Sequence, residues 1–142
     1  MDKGLVARAS VEVNVPVSKV WDALTNPKLI KKYMFGTDVV SDWKEGSKIV
    51  WKGEWQGRRY EDKGVILLFE PKRFLQYSHF SPLSGLLDVW ENYHTVTIEL
   101  SDEGKTTLLS LSQDNNDTEE TKNHSEQNWK MMLENLKKLL EE

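Results

Sequence analysis

The sequence predicts an α+β fold: a curved antiparallel sheet of about seven strands wrapped on a long C-terminal helix, with two short helices after the first strand. Three observations predict it. The chain closes on NHSEQNWKMMLENLKKLLEE, in which Trp129, Met132, Leu133, Leu136, Leu139 and Leu140 recur at the three- and four-residue steps of one helix face. Ahead of it, runs of alternating apolar and polar residues are separated by turn residues, the pattern of antiparallel hairpins. Finally, one long helix is available to cover the apolar face of all those strands, so the sheet must curl around it.

The elements follow in order. Leu5, Ala7, Ala9, Val11, Val13 and Val15 alternate with Arg8, Ser10, Glu12 and Asn14, a half-buried strand that Pro16 ends. Ser18 is placed to cap a short helix, KVWDAL, and Asn26-Pro27 opens a second, KLIKKYM. Six strand-like runs come next: TDVVSDW, KIVWKGEW, RRYEDKGVILLFE, RFLQYSHF, YHTVTIEL and KTTLLSLSQ. Glu45-Gly46, Gln56-Gly57, Pro71-Lys72 and Asp102-Glu103-Gly104 stand at four of the junctions as turns. Asp117 with Glu120 three residues on has capping-box spacing and starts the final helix.

With 142 residues, no repeat and no linker, residues 1–142 read as one domain. A net charge of −4 leaves no basic excess to neutralise phosphates, which argues against nucleic acid as a partner. The absence of cysteine excludes disulfides, thiol catalysis and thiolate-bound zinc. No stretch approaches the ~20 apolar residues of a membrane span. The first fifteen residues lack an apolar signal core, so cytoplasmic residence is the expectation.

The helical stripe raises the functional question. Continued towards the N-terminus, the face that carries Trp129 lands on Ser125, Thr121 and Lys122, so only the second half of the helix is apolar. If the sheet flares at that end, Ser125 and Thr121 look into an opening. The alternative is an overhang into solvent.

Several stretches together carry a family resemblance: VEVNVPVSKVWDALTNPKLIKKYM, WKEGSKIVWKGEW, GRRYEDKGVILLFEPKRFLQYS, VTIELSDEGKTTLLSLSQ and NWKMMLENLKKLL. In this order, over residues 5–140, the chain resembles the helix-grip fold of the START-like superfamily, also called SRPBCC or Bet v 1-like. More narrowly, it is similar to homologues of the activator of the heat-shock protein 90 ATPase. One departure is a single proline, Pro71, at a strand junction that usually carries two. The resemblance implies a cavity between sheet and helix that takes apolar or lipid-like molecules. It also implies two alternatives: a chaperone-associated protein-binding domain, and an enzyme of the polyketide cyclase type. The namesake belongs to a longer two-domain protein, so chaperone activation carries over weakly.

Nothing in the residues themselves specifies an enzyme. His79, His94 and His124 show no i, i+4 zinc spacing, so neither metal nor cofactor is expected. No G-x-S-x-G elbow occurs, and the phase of Asp62 along its strand is ambiguous. His94 shares the apolar face of its strand with Val96, Ile98 and Leu100. Pairing this strand with TTLLSLSQ sets Ile98 opposite Leu109, Val96 opposite Leu111 and His94 opposite Gln113. That polar pair either orients a ligand, with His94 as a potential base, or is simply satisfied at the sheet margin.

Ile49, Trp51, Gly53 and Trp55 share a strand face, and Leu75 and Tyr77 share another. Such aromatics fill cores, and they also line apolar pockets. The expected cavity is lined by Trp51, Tyr77, Phe80, His94, Gln113, Ser125, Trp129 and Met132. Its mouth lies near SPLSGLLDVW, residues 81–90, an apparent loop carrying Leu83, Leu86 and Leu87.

Overall fold

The computed structural model describes residues 4–142, the side chain of Trp55 excepted. Strand β1 (Leu5–Val13) is followed by helices α1 (Val17–Thr25) and α2 (Pro27–Tyr33). Six strands come next: β2 (Asp38–Ser41), β3 (Lys48–Trp55), β4 (Arg58–Glu70), β5 (Phe74–His79), β6 (His94–Asp102) and β7 (Thr107–Asn116). Helix α3 (Glu119–Glu141) closes the chain. The seven strands form one antiparallel sheet in the order β1-β7-β6-β5-β4-β3-β2, curved around α3 in a helix-grip fold.

Alternation built the inner face as expected. Ala7, Val11, Val13, Ile49, Ile66 and Leu75 are buried on it, and Val96, Ile98, Leu109 and Leu111 continue it. Leu133 and Leu136 of α3 are fully covered, while Trp129 and Met132 are half-buried. Lys130, Glu134 and Lys138 face water, but Lys137 does not point freely outward: its Nζ donates to the Glu12 carbonyl at 2.6 Å.

That contact belongs to a series. The edge strand β1 has one side paired to β7 and the other facing α3. The free N–H groups of Arg8 in β1 and of Asn14 just past its end donate to the carboxylates of Glu126 (3.0 Å) and Glu141 (2.8 Å). Six strand residues and fifteen helical ones each span about 20 Å, so the two elements run alongside each other in step. Side chains of α3 thus occupy hydrogen-bonding groups that an exposed edge would offer to another chain.

Three local expectations change. Pro16, not Ser18, stands at the N-cap of α1, and its carbonyl accepts from the Lys19 and Val20 N–H groups with no side-chain cap. The box that starts α3 is built by Thr118 and Thr121 rather than Asp117 and Glu120. Thr118 has extended backbone, and each threonine hydroxyl accepts from the other's N–H at 3.1 Å. Finally, the β6–β7 register moves by two residues: Ile98 faces Leu111 and Val96 faces Gln113. The hairpin between them closes with Asp102 opposite Thr107, leaving a four-residue turn in which Gly104 has φ 85°, where a two-residue turn would give the other pairing.

Candidate functional site: a pocket beside the first half of the C-terminal helix

A pocket of about 440 Å³ opens between the sheet and α3, beyond the end of the packed core. Seven of the eight residues singled out from the sequence line it: Trp51 and Tyr77 from the sheet floor, His94 and Gln113 from β6 and β7, and Ser125, Trp129 and Met132 from α3. Phe80 does not. It is buried against Tyr93, the rings stacked at 5.0 Å, and supports the loop behind the mouth. Below the pocket, Trp51, Tyr77, Trp129 and Met132 also border a narrow apolar space of about 40 Å³ that reaches Leu136.

The helix contributes polar anchors to this end. Ser125 Oγ donates to Asn116 Oδ1 at 3.1 Å, so it both borders the pocket and ties α3 to β7. Thr121 is spent on the helix cap and does not reach the opening. His94 and Gln113 do not pair with each other. Gln113 Oε1 accepts from the Trp129 indole N–H at 2.5 Å, fixing that ring across the pocket. His94 Nδ1 lies 2.8 Å from the Asp114 carbonyl. A carbonyl only accepts, so Nδ1 carries the proton.

A second polar group was hidden in the sequence. Asp62 faces Trp51 across the β3–β4 pair and turns into the pocket. Its Oδ2 lies 2.9 Å from Nε2 of His79, whose ring stands edge-on to Trp51 at 5.0 Å. Two glycines make room here. A Cβ on Gly64 would sit 1.7 Å from the Ser78 carbonyl oxygen, so β5 can close on β4 at this point. At Gly53 a Cβ would meet Tyr60 Oη at 2.4 Å; without one, the phenol crosses β3 to Thr37 Oγ1, 2.5 Å away. Burial pushes the Tyr77 phenol well above its ordinary pKa, keeping that ring neutral on the floor.

The rim is apolar. Phe35 and Leu83 both border the pocket, and the loop after β5 carries Leu86, Leu87 (77% exposed) and Trp90 (60% exposed) outward. This loop is built from two short 3₁₀ turns, Pro82–Ser84 and Trp90–Asn92. Asp88 ties it to the sheet, paired with Lys63 and accepting from the Tyr93 hydroxyl at 2.6 Å. The hydrogen bond from Lys63 is the main reason the Asp88 carboxyl is held below its usual range.

Residues 14–141 match the family described as Activator of Hsp90 ATPase homolog 1-like protein. Among solved structures, the chain is 60% identical to ChR145 from Cytophaga hutchinsonii, over 99% of this chain and 97% of that one, with a TM-score of 0.87. Protein NE0264 from Nitrosomonas europaea is 23% identical over 99% and 97% of the two chains, with a TM-score of 0.76. The Aha1 dimer from Colwellia psychrerythraea is 18% identical over 94% and 93%, with a TM-score of 0.73. At these last two identities the likeness speaks for the fold. No curated protein matches the chain.

Proposed function

The chain belongs to the family of Activator of Hsp90 ATPase homolog 1-like proteins, and from that premise we propose that it binds a small, mainly apolar molecule between the sheet and the first half of α3. The observation that carries this reading is the pocket itself. Its volume of about 440 Å³ falls within the range of small-molecule sites, and Trp51, Tyr77 and Trp129 give it the aromatic lining such sites favour. A first half that merely overhung would leave Ser125 in solvent; here Ser125 is half-buried, donates to Asn116 and borders the cavity.

A ligand of about twenty heavy atoms at roughly −0.3 kcal/mol per atom gains about −6 kcal/mol. That corresponds to a Kd of some tens of micromolar. Native mass spectrometry of the purified protein is the direct test, with a retained small molecule as the expected result. In parallel, binding of sterols, fatty alcohols or aromatic polyketides should change tryptophan fluorescence through Trp51 and Trp129. Ser125→Trp should fill the pocket beside α3 and abolish that change, at the cost of the hydrogen bond to Asn116, about 1 kcal/mol. Fluorescence unmoved by the whole panel up to solubility would overturn the reading.

The exposed apolar run from Leu83 to Trp90 favours a second reading, docking to a protein partner such as the chaperone in the family's description. Its test is the ATP turnover of that chaperone from the same cell at saturating concentrations of this protein. We expect no change, and a raised rate would make this the principal function.

A further inference from the structure

The polar end of the pocket is made of Thr37, Tyr60, Asp62 and His79, and its hydrogen-bond donors can be followed one by one. The Thr37 hydroxyl donates to the Met34 carbonyl at 2.7 Å. Its contact with Tyr60 must then use the phenolic proton, so Tyr60 O–H donates to Thr37 Oγ1. With the imidazole neutral, His79 Nε2–H donates to Asp62 Oδ2, and Nδ1 is left as a lone pair. Asp62 Oδ1 is shielded from solvent and meets no donor among the described residues. Every N–H and O–H of these four side chains is therefore spent, and the donors left in the rest of the lining, among them the Ser81 hydroxyl and the Asn128 amide, are uncharged. What this end still offers is acceptors, the Tyr60 oxygen and His79 Nδ1, beside the negative charge of Asp62, whose Oδ1 is itself closed off.

Charge points the same way. No Lys or Arg is among the described residues lining the pocket. Asp62 brings a negative charge onto the inner face. Glu54 also borders the pocket but stands opposite Arg59 across the β3–β4 pair. Beside Asp62 lies Trp51, whose ring face attracts cations and whose edge contact with His79 fixes its position. A carboxylate has only acceptors to bring to such a site, whereas an ammonium brings donors and the complementary charge.

We propose that the pocket selects an apolar or aromatic amine, its protonated amino group against Asp62 and its body over Trp51, Tyr77 and Trp129, and turns away carboxylates. This rests on the ligand-binding reading above and names the class of ligand. The test is calorimetric titration at neutral pH with three probes that share one body: naphthylethylamine, naphthylethanol and naphthylacetate. The expected order is amine, alcohol, acid, with the amine roughly tenfold tighter than the alcohol. Asp62→Asn should reduce that ratio to near unity. An acid that binds as tightly as the amine in the unaltered protein overturns the proposal with no variant needed. So does an amine preference that survives Asp62→Asn. If the alcohol binds and the amine gains nothing over it, only the choice of ligand class falls; if none of the three binds, the ligand-binding reading falls with it.

Discussion

From Trp129 to Glu141, α3 is held by apolar burial: Leu133 and Leu136 are sealed against the inner face, and Lys137 and Glu141 tie the flank to β1. From Glu119 to Asn128 the same helix is held by polar contacts alone among the interactions resolved, the threonine box, Ser125 on Asn116 and Glu126 on Arg8. Under the proposed function the two halves divide two requirements that conflict. Tight packing leaves no room for a ligand, and an open pocket contributes little to stability. Anchoring the first half through its ends and its flank leaves its inner face free of the fold's own side chains.

The sharpest way to break this comparison is in the packed half. Leu136→Ala should cost about 2–5 kcal/mol, read from the denaturant midpoint. A loss under about half a kcal/mol would show that the helix does not grip the sheet, and the contrast with the first half would vanish. A smaller effect is expected at the pocket's polar end. Gly53→Ala drives a methyl into the Tyr60 hydroxyl, so Tyr60 must leave Thr37, at a cost of about 1–3 kcal/mol. Near-ultraviolet circular dichroism should report the displaced ring; an unchanged spectrum and midpoint would mean that Gly53 is not what lets Tyr60 cross the strand.

The smallest effect lies on the exposed flank. The hydrogen bond from Lys137, then the Asn14 N–H, hold the Glu141 carboxyl below its usual pKa. A depressed folded-state value contributes stability above the unfolded value, about 4.3, and that contribution disappears as pH falls through the folded value. Glu141→Gln should therefore be slightly less stable than the unaltered protein at neutral pH, with the gap closing below about pH 4. A gap independent of pH would assign the contact to packing rather than charge.

The sheet was legible because alternation in β1, β3, β6 and β7 is regular, and the stripe on α3 announced its covering helix. The half-bare stretch of that helix pointed to this end of the molecule, and seven of the chosen residues border one pocket there. What stayed hidden depends on pairing. The β6–β7 register turned on whether the hairpin has two or four residues, and Glu103-Gly104 suits either. Phe80 follows Tyr77 and His79 out of phase, and the bridge to Lys63 and the stack on Tyr93 hold it outside the pocket. Asp62 and His79 meet only because β5 closes on β4 at Gly64, a contact seventeen residues apart in sequence. The glycine was the available signal: in a strand interior it marks a close backbone approach.

The clasp between β1 and α3 has a consequence for how the chain is made. Both neighbours of β1 come from the far end of the sequence: Leu5 faces Asn116, and Arg8 waits for Glu126. At a synthesis rate of about 5–20 residues per second, the first strand emerges roughly 5–25 seconds before either neighbour exists. Throughout that interval its alternating valines and its backbone have nowhere native to go, and none of the hairpins formed in between can relieve it. Closing so long a loop is also slow. For this architecture the vulnerable moment is therefore early in synthesis, and the element at risk is the strand whose two neighbours are both made last.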